Sequence, residues 1–132
     1  MIVMEVKSYR DLKVWNQAME LVILCYQLTS KFPKTEIYGL SSQIQRAAVS
    51  IPANIAEGKG RVHLGDYIYH LSIANGSLKE LETHLLIAER LSYLDIQELQ
   101  TVLNLSDERG RMLNTLIEKL NERKKKLGHQ NN

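Results

Sequence analysis

The stretch from Asp95 to Leu120 reads DIQELQTVLNLSDERGRMLNTLIEKL, and its pattern decides the fold. Asp95, with Glu98 three residues on, is a capping box, in which each side chain satisfies a backbone N–H at a helix start. From there positions 96, 99, 103, 106, 110, 113, 117 and 120 recur three and four apart, carrying Ile, Leu, Leu, Ser, Gly, Leu, Ile and Leu. That is the period of one helix face, and Val102, Leu105, Met112 and Leu116 widen it. The spacing predicts a helix over 96–125, with the basic run Arg123-Lys124-Lys125-Lys126 at its end and a polar tail at 128–132.

The same period runs back through the chain. Leu64, Ile68, Leu71, Leu78, Leu81, Leu85 and Ala88 predict a helix over 64–93. Gly76 inside it costs about 1 kcal/mol relative to Ala, so a close packing contact is expected there. Leu40, Ile44, Ala47, Ile51 and Ile55 form one face of a helix over 40–58, and Val49, Ala53 and Ala56 populate another. Pro52 predicts a kink in it, and Gly58-Lys59-Gly60 a left-handed cap at its end. Two stripes, Leu12-Trp15-Met19-Val22-Tyr26 and Val14-Ala18-Leu21-Cys25-Leu28, predict a first helix over 8–31. Ser8 with Asp11 would start it, and Phe32-Pro33 would stop it. No segment alternates with the period of a strand. Four helices on short connections predict an all-α, up-down-up-down four-helix bundle, one domain over 1–127.

Composition excludes several function classes. Of 132 residues 44% are hydrophobic and 24% charged, as in a globular domain, not a disordered chain. A single cysteine excludes a disulfide framework and a Cys-rich metal site. The longest apolar run, Leu21 to Tyr26, is far short of a membrane span. Glu5 and Lys7 interrupt the N-terminal apolar residues, so no secretory signal is expected. The formal charge of +2 is too small to announce nucleic-acid binding by itself.

Enzyme chemistry is also unsupported. A di-iron bundle needs Glu-x-x-His pairs, and three residues before His63, His70, His84 and His129 lie Gly60, Tyr67, Leu81 and Lys126. Asp66/His70 and Glu80/His84 have i,i+4 spacing and read as surface charge pairs. Gly58-Lys59-Gly60 lacks the lead-in glycine and the Ser or Thr of a phosphate loop. Cys25 lies on an apolar stripe, the place of an inert buried thiol. Glu57, Glu80 and Glu82 read as structural partners of Arg46 or Arg61. The expectation is no catalytic residue, no metal site and no cofactor.

Two polar features remain. Along the second helix Gln43, Arg46, Ser50, Asn54, Glu57 and Arg61 fall on one line, eighteen residues in five turns. The line is open to three readings: a solvated face, a hydrogen-bonded network at a subunit boundary, or a contact surface for a ligand or nucleic acid. The basic groups divide similarly. Arg123, Lys124, Lys125 and Lys126 suit the negative end of a helix dipole and equally suit phosphates. Lys59, Arg61 and His63 cluster at the turn between the second and third helices.

Several strings together resemble one family. They are Tyr9-Arg10-Asp11-Leu12-Lys13-Val14-Trp15, Phe32-Pro33, Tyr38-Gly39-Leu40, the run from Gln43 to Gly58 (QIQRAAVSIPANIAEG), and the run from Leu71 to Thr83. Over about residues 8–120 they are similar to the bundle proteins encoded in intervening sequences of bacterial 23S ribosomal RNA genes. The accessory variability proteins of diversity-generating retroelements are related bundles. The resemblance implies a homopentameric ring without known enzymatic activity, with nucleic acid as its expected ligand. Arg46, Ser50, Asn54, Glu57 and Gly58 coincide with the family motif. His63 departs from it, standing where relatives often carry a capping Ser or Thr. The resulting expectation is a cytoplasmic, non-enzymatic homo-oligomer. It would bind RNA or DNA through repeated patches of Lys59, Arg61, Arg123, Lys124, Lys125 and Lys126. The alternative is a protein-interaction scaffold module without nucleic-acid binding.

Overall fold

A computed structural model describes the backbone of residues 7–130 and the side chains of residues 7–128. The expected four helices are present: α1 (Lys13–Thr29), α2 (Leu40–Lys59), α3 (Leu64–Arg90) and α4 (Ile96–Gln130). No strand occurs among the described residues. Each helix packs on its chain neighbours, and α4 closes the ring on α1. The bundle is therefore up-down-up-down, with the α2–α3 seam the most extensive and the α1–α4 seam the thinnest. Among the described residues, no helix is long and apolar enough to cross a membrane.

The core is the set of stripes read from the sequence. Leu21, Ile44, Ile51, Ile55, Leu71, Leu78, Leu81, Leu85 and Leu113 are fully buried. Cys25 lies among them, and burial pushes its thiol up to about 12, which keeps it protonated and unreactive. The Asp95–Glu98 capping box forms as expected: Glu98 N–H donates to Asp95 Oδ1 at 2.7 Å and Asp95 N–H to Glu98 Oε1 at 3.2 Å. Lys31 also bonds Glu98, and chiefly that contact holds the carboxyl below its usual range. It ties the end of α1 to the start of α4.

Several boundaries and local features differ from expectation. Ser8 and Asp11 do form a capping box, but it closes a 3-10 turn at Tyr9–Asp11. Leu12 is extended (φ −77°, ψ 125°), so α1 begins only at Lys13. It ends at Thr29, whose hydroxyl donates back to the carbonyls of Cys25 and Tyr26. The third helix stops at Arg90, short of the expected 93. Ser92 there takes a left-handed φ of 65°, while its N–H bonds Glu89 O and the N–H of Tyr93 bonds Ala88 O. These two bonds are a Schellman motif, placed on a serine where glycine is usual. The left-handed cap expected at Gly58–Gly60 is absent, since Gly60 is right-handed at φ −78°, ψ −7°. Helix α2 runs through Pro52 to Lys59. Helix α4 continues through the basic run and into the expected polar tail as far as Gln130, and the rest of that tail lies outside the described residues.

Gly76 is exposed, and a Cβ built there meets nothing within 4 Å. The expected close contact is not made within the protomer, so the helix-propensity cost of about 1 kcal/mol stands uncompensated there. The close approach occurs instead at Gly58, where a Cβ would lie 2.8 Å from His70 Cβ and 3.1 Å from Tyr67 Cδ1. Gly58 thereby sets the separation of α2 and α3 at one end of the bundle. A second feature lay outside the apolar pattern. Arg109 is only 3% exposed and fills the α1–α4 seam, donating from Nε to Gln17 O at 3.2 Å and from Nη2 to Glu20 Oε2 at 3.4 Å.

Candidate nucleic-acid interface

The polar line of α2 does not act as one unit. Gln43, Arg46, Glu57 and Arg61 are exposed, whereas Ser50 and Asn54 are half-buried against α3. There Ser50 Oγ meets Ser77 Oγ at 2.8 Å, and Asn54 Nδ2 donates to Ser50 O at 2.8 Å and to Ser50 Oγ at 3.1 Å. The amide orientation leaves Asn54 Oδ1 to accept from His70 Nδ1 at 3.1 Å, which places the proton of a neutral His70 on Nδ1. His70 Nε2 then faces Glu57 Oε1 at 3.9 Å, beyond hydrogen-bond reach. The same oxygen accepts from Arg61 Nη2 at 2.9 Å.

These contacts make a relay along the α2–α3 seam, Ser77, Ser50, Asn54 and His70, beyond which Glu57 and Arg61 form a separate surface pair. Within one chain it fixes the register of α2 on α3, because each half-buried polar group has a partner that a slip would remove. Glu57 pairs with Arg61, one of its two expected partners, and not with Arg46. His70 faces Asn54 and Glu57 in place of the expected Asp66. Glu80 and His84 do approach, at 3.4 Å. Glu82 accepts from Ser106 across the α3–α4 seam at 3.0 Å. The spacing in the sequence pairs His70 only with Asp66 and gives Ser77 no role, although with His84 they recur every seven residues along α3.

Arg61 of the surface pair lines a hollow. In an up-down-up-down bundle α2 and α4 run in the same direction, so their C-terminal ends lie together. Lys59, Arg61 and His63 from the α2–α3 turn and Arg123 from α4 line a single depression of about 400 Å³. Its remaining walls are Val62, Leu64, Tyr67 and Leu127. Lys124 does not line the depression but lies close by, its Nζ 3.3 Å from where a Cβ on Gly65 would stand. Lys59 Nζ sits 5.8 Å from the centroid of the Tyr67 ring, whose phenol is buried and pushed above its usual range. Among the described residues Lys59, Arg123 and Lys124 have no carboxylate within ion-pair distance, while Arg61 has Glu57. Lys125 and Lys126 are exposed on α4 and do not line the depression.

The charge at this end is therefore concentrated, although the chain as a whole is near neutral. Of the two expected clusters, 59–63 and 123–126, the depression brings together Lys59, Arg61 and His63 with Arg123 alone. Exposed acids flank it: Glu57, which pairs with Arg61, Glu122 next to Arg123 in sequence, and Asp66 in the first turn of α3. His63 makes no side-chain hydrogen bond to that helix start, in keeping with its departure from a capping residue. Among the described residues no group of three or more His, Cys, Asp or Glu is placed to hold a metal.

A different surface carries exposed apolar groups. Met19, Ile23 and Tyr26 line one side of α1 at 39%, 55% and 46% exposure, and Val49 of α2 joins them at 42%. Tyr26 and Val49 share a hollow of about 410 Å³ with Arg46 and Ser50.

Comparison with known proteins places this geometry in context. The profile of the 23S rRNA-intervening sequence protein family matches residues 10–115. That span contains Lys59, Arg61 and the whole relay but stops short of Arg123 and Lys124. The fold is similar to a crystal structure of a protein of unknown function from the S23 ribosomal protein family of Bacteroides thetaiotaomicron. The TM-score is 0.71 and the identity 26%, covering 79% of this chain and 97% of that one. Comparison with curated proteins gives no match.

Proposed function

The chain belongs to the 23S rRNA-intervening sequence protein family, and we propose that it is a non-enzymatic, cytoplasmic homo-oligomer that binds nucleic acid at the cationic end of each bundle. The observation that carries this reading is the meeting of Lys59 and Arg61 with Arg123 around one depression, with Lys124 beside it at Gly65. Burial of the core requires none of these four groups, and gathering like charges costs energy that phosphates return. The exposed strip Met19–Ile23–Tyr26 with Val49 supports self-association, and the family resemblance makes a pentameric ring the expected form. A ring repeats the cationic end around its axis, so a small charge per chain becomes an extended field.

Titration of a fluorescent single-stranded RNA tests the reading. Affinity should fall at least tenfold between about 50 and 200 mM salt, as condensed counterions are released from several phosphates. Absence of binding at the lower salt would remove the proposal. Such absence would favour the second reading, a protein-interaction module acting through the Tyr26–Val49 hollow, and binding that ignores salt would contradict contact with phosphates.

A further inference from the structure

The depression differs from a general phosphate-tracking surface in its shape and in where its charges converge. A duplex or an internal strand segment asks for cations spread along a path, one for each singly charged diester. Here Lys59, Arg61 and Arg123 line one concave space of about 400 Å³, and Lys124 stands beside it at Gly65. The start of α3 opens onto it, and the first amides of a helix have no intrahelical acceptor. The His63 side chain caps none of them, and of the first three only Asp66 N–H has a backbone partner, His63 O at 3.1 Å. Gly65 lets Lys124 approach this positive helix end, an arrangement that an anion relieves. A terminal phosphomonoester carries about −1.5 to −2 charges and three strong acceptor oxygens, matching several converging donors better than a diester does. The exposed Val62, at 93%, and Leu127, at 47%, add apolar surface beside the cations.

We infer that the depression receives the phosphorylated end of a single strand, its terminal phosphate held by Lys59, Arg61, Arg123 and Lys124 and its last nucleoside against Val62 and Leu127. The inference rests on the nucleic-acid reading above and narrows it from a backbone to an end. The site needs no metal and no chemical step. It is a receptor for a doubly charged terminus.

The test uses the full chain in its native assembly and short single-stranded RNAs of one sequence, ending in a 5′-phosphate, a 3′-phosphate, or hydroxyls at both ends. At least one phosphorylated form should bind about tenfold more tightly than the hydroxyl form, the scale of one or two additional charge-assisted hydrogen bonds. The two phosphorylated forms distinguish which end is read. Arg123→Gln should abolish the preference, whereas Arg90→Gln, an equal charge change at the opposite end of the bundle, should leave it intact. Equal binding of all three RNAs overturns the end-receptor inference and leaves the general reading standing. A preference that survives in Arg123→Gln overturns the assignment to this depression. No binding of any RNA overturns both.

Discussion

Gly58→Ala is expected to lower the unfolding free energy by about 1–3 kcal/mol, the range for forcing atoms into a well-packed contact. The new methyl carbon would stand 2.8 Å from His70 Cβ, 3.1 Å from Tyr67 Cδ1 and 3.2 Å from Tyr67 O. Neither a Cβ nor a backbone carbonyl can swing aside as the tip of a long side chain can, so α2 and α3 must separate. Separation would also stretch the 3.1 Å contact between His70 and Asn54 and move the α2–α3 turn that carries Lys59, Arg61 and His63. Nucleic-acid affinity should therefore fall with stability, although no cation has been altered. Gly60→Ala supplies the contrast. Its added carbon would meet only carbonyl oxygens at 3.6 Å, and the backbone there is right-handed, so urea unfolding should change little. Equal midpoints for the two variants would show that the seam is not set by Gly58.

The second large effect is on binding. Lys59→Glu combined with Arg123→Glu should weaken RNA binding about a hundredfold or more at low salt. Two charge-assisted contacts at about 1.5–3 kcal/mol each are removed, and every 1.4 kcal/mol is tenfold. Both positions lie on the rim of the same depression and make no ion pair among the described residues. Their replacement should therefore leave thermal unfolding near that of the parent protein. Lys34→Glu with Arg90→Glu makes the same change in net charge at the far end of the bundle. That pair should cost only the smaller, nonspecific part of the affinity. If both pairs reduce binding equally, the charge acts through the whole surface and not through this site.

What the sequence made legible follows from how local each feature is. Helix number and the Asp95–Glu98 cap depend on residues within one or two turns, so spacing alone reveals them. Meeting of the basic clusters is one step further. It follows from chain direction in an up-down-up-down bundle, but helix rotation then decides that Arg123 faces the depression and Lys125 does not. The relay is harder still. Ser50 and Asn54 stood out as polar residues on an apolar helix, yet their partners Ser77 and His70 depend on the antiparallel register of α3, which no periodicity in α2 encodes. The pattern around Gly58 points to backbone freedom, whereas its role is the missing side chain. The helical setting of Gly76 points to a packing role that its exposed position does not fulfil within the protomer. Arg109 was invisible because a buried guanidinium at the α1–α4 seam breaks the apolar rule that located the core.

The central claim is that residues 59–65 and 123–127 act as one surface toward phosphate-bearing strands. An NMR titration of the labelled protein with a phosphorylated single-stranded RNA tests it most directly. Signals of both segments should move together and share one saturation midpoint, with those near Arg90 unmoved. Shifts confined to one segment, or separate midpoints for the two, would contradict the account.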